Sequence, residues 1–328
     1  MARPRLPTSA DVARESGFSR ATVSYALNPA TAWKVSARTV KLVSETAERL
    51  GYIPSWTAHA LRRGRSDTVI AVAPRIMNEP TMRLLDHLGP ILADRGFLLV
   101  PHMFASVSQL SELAARIGAS SVIAFVPLSA EDLTRLRSAG VQTFLTLPAD
   151  AGRPLGLPWE YPAGQLQIDH LAREGFRRFA CVSLRDAPYP FIARERLRGA
   201  EIACLNLGLP APLPIELPHV HAESGELLKT LRGEDGRLGV AAADDLTALF
   251  VLGACASSGL SVPEDIGVIG FGDSTVARLA RPGITSISRD VEDLAVATAK
   301  HFLSLADDAS EHLRIDVDLE LHLSARSS

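Results

Sequence analysis

From residue 68 onward, short apolar runs and helical stretches alternate along the chain. "TVIAVAP", "FLLVPHM", "SSVIAFVP" and "VQTFLTL" are separated by "EPTMRLLDHLGPILADRG", "SQLSELAARIG" and "SAEDLTRLRSAG". Strands that alternate with helices of this length predict a parallel sheet with helices on both faces. The stretch "LPADAGRPLGLPWEYPAG" is rich in proline and glycine and reads as a crossover. A second series then repeats the alternation: "AGQLQIDHLAREG", "RRFACVSL", "FIARERLRGAEIACLNLG", "LPIELP", "ESGELLKTLRG", "LGVAAA", "DDLTALFVLGACASSG" and "IGVIGFG". Two α/β halves in sequence, each with accessible strand ends, predict a cleft between them that holds a ligand.

The first 65 residues follow different rules. They carry eleven Lys and Arg against four Asp and Glu, a net of +7, whereas the remaining chain carries 23 against 33, a net of −10. A basic head on an acidic body is the pattern expected when only the head meets a polyanion. Within the head, Ser9 can cap a helix over "ADVARESG" that stops at Gly17. Ser19 can cap a second helix, "RATVSYALN", with Val23, Ala26 and Leu27 facing inward and Arg20, Ala21, Ser24 and Tyr25 facing out. Two short helices joined this way make a helix-turn-helix, whose second helix fits the major groove of B-DNA. Ser36 caps a longer third helix to about Leu50, with Val40, Val43, Ala47 and Leu50 inward, and "GYIP" closes it. "SWTAHALRRGRS" follows as a short basic segment, too short for an isolated helix, that reads as a linker folding against a partner. The expected domains are residues 1–54, a linker over 55–66, and 67–328.

The order "DVARESGFSRATVSYALN", "VSARTVKLVSETAERLGYIPS", "AHALRRGRS" resembles the lactose-repressor (LacI/GalR) family of bacterial transcription regulators. That resemblance implies DNA contacts from Ser19, Arg20, Ala21, Thr22, Ser24, Tyr25, Asn28, Ser36, Tyr52, Ala58 and Leu61. It further implies a homodimer on a pseudo-palindromic double-stranded site, with paired linker helices pushing Leu61 into the minor groove. The chain departs from the family pattern at Tyr25, where Arg or His is frequent, at Ala21, which cannot donate a hydrogen bond, and at Val40 in place of Arg. The loop after Asn28 is longer than usual.

"RERLRGAEIACLNLGL", "GVAAADDLTALFVLGACASSGLSVPEDIGVIGFGD" and "RPGITSISRD" resemble the effector-binding core of the same family, itself similar to periplasmic sugar-binding proteins. The implied effector residues are Arg196, Asp244, Asp245, Phe271, Gly272 and Asp273. A guanidinium at a cleft suits paired hydroxyls or a carboxylate. Gly272 stands where a carboxylate often binds a sugar hydroxyl, and Trp159 and Glu160 replace an Asp-Asn pair. The function implied is a DNA-binding regulator, a repressor, controlled by a small-molecule effector with a sugar among the candidates.

Other classes find less support. "HVHAE" offers His219, His221 and Glu223 but no second pair of ligands, so no metal site is expected. No G-x-S-x-G, Walker A or G-x-G-x-x-G pattern occurs, so neither an enzyme nor a cofactor is expected. The three cysteines, Cys181, Cys204 and Cys255, lack C-x-x-C spacing and fit a reducing cytoplasm. No apolar run reaches the length of a membrane span, and the N-terminus lacks the apolar core of a signal peptide. The C-terminal "LRIDVDLELHLSARSS" carries no leucine heptad, which favours a dimer over a coiled-coil tetramer.

Overall fold

The computed structural model describes residues 7–27, 31–52, 66–74, 79–146, 160–185, 190–232, 236–308, 312–314 and 321–324. The chain divides into two compact units, Met1–Ser66 and Asp67–Ser328. Asn28, Ala58, Leu61 and Trp159 lie outside the described residues, as do most of the linker and of the proline-rich crossover.

In the first unit, α1 spans Ser9–Ser16, α2 Arg20–Ala26 and α3 Ala37–Leu50, with a 3-10 turn at Ala32–Lys34. The cap of α1 is Thr8 and not Ser9. Asp11 N–H donates to the Thr8 hydroxyl, and the Asp11 carboxylate accepts from Thr8 N–H at 2.9 Å and from its hydroxyl at 2.6 Å. This reciprocal box satisfies two donors at once, which a lone Ser9 could not. These Thr8 bonds hold the Asp11 carboxyl well below the usual carboxylate range. Ser19 and Ser36 cap α2 and α3 through Thr22 N–H and Thr39 N–H, each at 3.1 Å. Gly17 and Gly51 end α1 and α3 in left-handed conformation. The core is Val12, Ala13, Val23, Ala26, Val43 and Ala47, with Val40, Leu50 and Tyr52 half-buried around it.

The second unit holds two sheets. The first has strand order β10-β4-β3-β1-β2 and the second β11-β9-β8-β7-β5-β6. The strands are β1 Thr68–Ala73, β2 Leu98–Met103, β3 Ser121–Ala124, β4 Thr143–Thr146, β5 Phe179–Leu184, β6 Leu213–Leu217, β7 Leu238–Ala242, β8 Ile266–Phe271, β9 Thr285–Arg289, β10 His312–Arg314 and β11 Leu321–Ser324. All described pairs are parallel except β11 with β9. Central strands are apolar on both faces, as covered parallel sheets require: Val69 through Ala73 are fully buried.

The intervening helices are α4 Glu79–Ala93, α5 Val107–Ile117, α6 Ala130–Ser138, α7 Glu160–Arg173, α8 Pro190–Asn206, α9 His221–Arg232, α10 Asp245–Ser257, α11 Thr275–Leu279 and α12 Val291–Asp308. Helix α7 begins at Glu160, so "EYPAG" is helical and not part of the crossover. Pro162 is tolerated because a first-turn N–H has no intrahelical partner to lose. Gly164 is tolerated because α8 needs the space. A Cβ on Gly164 would overlap the Arg196 carbonyl, and one on Gly199 would overlap the Tyr161 carbonyl. The two helices therefore touch backbone to backbone.

The halves also meet at the mouth of the second sheet. The Glu79 carboxylate accepts from Thr275 N–H at 2.7 Å and from its hydroxyl at 3.1 Å, and lies 3.3 Å from Arg278. Gly272, at φ +123°, lets Pro80 approach.

Gly164→Ala should destabilise the second unit by about 1–3 kcal/mol, since backbone cannot yield as a side-chain tip can. Urea unfolding would measure it, and an unchanged midpoint would contradict the crossing. The Glu79 carboxyl lies below its ordinary range, chiefly through the Thr275 N–H bond. Its stabilisation is therefore present above the ordinary carboxylate range and is lost as pH falls through the folded value. Glu79→Gln should cost about 1 kcal/mol at neutral pH, and the gap in melting temperature should close under acid.

Candidate functional site

The outward side of the head is set by the caps. Capping by Ser19 and Ser36 leaves both residues exposed, along with Arg20 and Ala21, while Thr22, Ser24 and Tyr52 are half-buried. Tyr52 packs on the head core. Tyr25 stands on the same side of α2 and is 40% exposed. Sequence reasoning passed over its neighbours in the 3-10 turn. The Lys34 ammonium lies 5.2 Å from the Tyr25 ring centre and 5.5 Å from that of Trp33, which is 78% exposed. The signal was the long loop itself, "PATAWK", which brings a cation and an aromatic beside α2. Exposed rings with an interposed cation suit contact with nucleic acid.

In the second unit the site is built on strand ends. Strands β7, β8 and β9 deliver Ala243–Asp244, Phe271–Asp273 and Arg289, and the α7–α8 crossing brings Glu160 and Arg196 to the same place. Arg196 and Glu160 form an ion pair in which both residues are almost fully buried, at 5% and 2% exposed. The Arg196 guanidinium also donates to the Ala243 carbonyl and lies 4.1 Å from the centre of the Phe271 ring. Arg289 lies 5.7 Å from the same ring. Burial pushes Arg289 down to about 10, with Arg196 adding repulsion and Glu160 opposing it. Gln167 ties the two strands together, donating to Ala242 at 2.9 Å and Gly270 at 3.3 Å.

The acids predicted here are engaged within the protein. Asp244 caps α10, accepting from Thr247 N–H at 2.7 Å. Asp245 is buried and accepts from Ser274 N–H and hydroxyl, both at 2.7 Å, and from the Ser286 hydroxyl at 2.6 Å. Asp273 adopts φ +43° and lies 3.7 Å from Arg278. Arg196 and Phe271 are thus in contact, while Gly272 serves the approach of Pro80. Glu160 appeared in the sequence only as a departure, Arg289 only within the family-like stretch "RPGITSISRD" with no role assigned, and Gln167 carried no motif at all.

Among the described residues no group of three or more potential ligands could hold a metal ion. His219 lies 2.9 Å from the Arg185 carbonyl, and His221 packs on Phe250 with ring centres 4.5 Å apart. Burial pushes the thiols up, Cys181 and Cys255 to about 12 and Cys204 to about 11. Among the described residues no helix is long and apolar enough to cross a membrane.

The family description "Bacterial regulatory proteins, lacI family" matches residues 8–55, and "Periplasmic binding protein-like domain" matches residues 168–328. The chain is 30% identical to the HTH-type transcriptional regulator CelR of Thermobifida fusca over the whole of both chains. It is 26% identical to the HTH-type transcriptional regulator GntR of Pseudomonas aeruginosa, covering 98% of this chain and 95% of that one. Among solved structures, the lac repressor dimer bound to operator and the anti-inducer ONPF superimposes with a TM-score of 0.77, at 22% identity and 98% coverage of each chain. A CelR–cellobiose complex does so with a TM-score of 0.66, at 27% identity and 98% and 99% coverage. With a helix-turn-helix head, a two-sheet ligand-binding body and this likeness along its full length, the chain belongs to the LacI family of bacterial transcriptional regulators.

Proposed function

We propose that this regulator is a cytoplasmic, non-enzymatic repressor that binds a pseudo-palindromic operator as a homodimer and releases or tightens its grip when a sugar-type effector occupies the cleft around Arg196. The observation that carries the DNA-binding half is the exposed side of α2, where Tyr25 stands beside Lys34, with Arg20 also exposed, on a head of net charge +7. The long Tyr25 and Lys34 side chains suit base and phosphate contact respectively, and Ser19, Ala21, Thr22, Ser24 and Ser36 are proposed to contact the DNA with them. The cellobiose bound to CelR supports a sugar-type ligand.

The dimer reading has its own support. Helix α10 exposes Leu246 and Leu249 beside a groove of ≈ 680 Å³ that includes Phe250, His221 and Pro282. Exposed leucines beside an apolar groove suit an interaction surface. We infer that a second copy covers it; the similar lac repressor structure is a dimer.

Operator affinity should fall by about 10³–10⁵ between roughly 50 and 200 mM salt if about six to ten phosphates are neutralised. Lys34→Ala should weaken all sequences alike and lower that salt slope by about one per subunit, whereas Tyr25→Ala should change the motif recovered by site selection. A flat salt response would remove the head from the interface. For the cleft, removing Arg196 alone would strand Glu160 as a buried charge, so the informative variant is Arg196→Gln with Glu160→Gln. It should retain operator binding and lose about ten- to hundredfold in effector affinity, read by operator release against ligand titration. A wild-type ligand response would take Arg196 out of the effector site.

A further inference from the structure

We propose that Trp33 touches the DNA directly, its indole lying against the deoxyribose edge of the groove that α2 enters, and that this contact is insensitive to both base sequence and salt; this rests on the head being the DNA-binding unit. The inference starts from the 3-10 turn Ala32–Lys34. That turn is held at both ends. The Thr31 hydroxyl donates to the Tyr25 carbonyl in the last turn of α2 at 3.3 Å, and Val35 packs on the head core. Lys34 N–H donates to the Thr31 carbonyl at 3.0 Å, and Val35 N–H to the Ala32 carbonyl at 3.2 Å. Three residues per turn place Ala32 and Val35 on one side, where both are half-buried, and turn Trp33 and Lys34 outward. Trp33 is 78% exposed, although tryptophan is a highly buried residue on average.

The surroundings of the ring decide what covers it. The Lys34 ammonium lies 5.5 Å from the Trp33 ring centre and 5.2 Å from that of Tyr25. An apolar protein surface that covered the indole would bury this charge with it, which is costly. A nucleic-acid strand presents a phosphate for the ammonium and an apolar deoxyribose for the ring within one nucleotide. Helix α3 is capped two residues further on, at Ser36; its first turn carries no acid and exposes Arg38, which suits the same backbone. The bases of a duplex are stacked on one another, so the ring meets the groove edge and not a base face. Indole has a single N–H, a donor only, which a phosphate oxygen satisfies. Such a contact reads no base, and because it neutralises no phosphate it releases no counterion. Trp33 thus has a task separate from the base contact of Tyr25 and the ionic contact of Lys34.

The test uses the full-length protein, a duplex recovered by site selection and a random-sequence duplex of equal length. Trp56→Phe with Trp159→Phe leaves Trp33 as the single tryptophan of the chain. Its fluorescence should be open to acrylamide quenching in the free protein and shielded on either duplex. Trp33→Ala should bind both duplexes about ten- to hundredfold more weakly per dimer, with Trp33→Phe recovering part of the loss. The slope of affinity against salt should stay that of the wild type, whereas Lys34→Ala lowers it. Shielding is read on the native ring, so it decides the matter even where Trp33→Ala loses stability. An indole equally open with and without DNA would overturn the proposal, as would one already shielded in the free protein, which would seat it on protein. So would an unchanged affinity in Trp33→Ala, a loss confined to the selected duplex, which would make Trp33 a base reader, or a loss with a lowered salt slope, which would leave the ring only as a holder of Lys34. Failure of the wild type to bind either duplex would instead overturn the DNA-binding reading itself.

Discussion

The backbone contact between α7 and α8 is the constraint on which the cleft depends. Gly164 rests on the carbonyl of Arg196 and Gly199 on that of Tyr161, so the contact is made twice, once from each helix. No side chain separates the axes at those points. Glu160 and Arg196 lie four and three residues from these glycines, about one turn along each helix. Their ion pair is therefore an outcome of helix packing, not an independent feature. The same pair then orients a guanidinium over Phe271 and pins it to the Ala243 carbonyl, linking both helices to the ends of β7 and β8. A buried ion pair is weak support for stability, because desolvation offsets most of the attraction. Its value here lies in fixing where one charged group stands.

The two units divide the electrostatic work. The head is small, with six buried apolar side chains in its core among the described residues, and capping bonds begin each of α1, α2 and α3. Among its described residues, the exposed surface includes Arg20, Lys34, Tyr25 and Trp33. The body buries parallel strands, carries a net charge of −10 and engages Asp245, Glu79 and Asp244 with serine, threonine and backbone donors. Such a body has little attraction for a polyanion, so DNA affinity is confined to the head.

Much of this was legible beforehand. Period and punctuation gave β1 through β8 and the helices between them, because fully buried strands and capped helices leave local marks such as "TVIAVA" and the Ser19 and Ser36 caps. The resemblance pointed to Arg196 and Phe271. Legibility failed where meaning is tertiary. Thr8 and Ser9 are equally good caps locally, and only the Asp11 carboxylate decides between them. Gly164 looked like punctuation at the end of a crossover, because nothing local tells a loop glycine from one that admits a second helix. Arg289 is an ordinary strand-end arginine until the parallel register of β8 and β9 sets it beside Phe271. Glu79 and Thr275 are 196 residues apart, and no local pattern joins them.

The described strands also fix how the body can move. The chain leaves the first sheet after β4, returns from β9 through α12 to β10, and leaves again for β11. Helix α12 is anchored on the first half, where Phe302 meets Phe97 edge-on at 5.1 Å between ring centres. The chain thus passes between the two sheets three times, after β4, between β9 and β10 and between β10 and β11. Repeated passage holds the halves within reach of each other, so a change in their mutual angle asks less of the backbone than their separation.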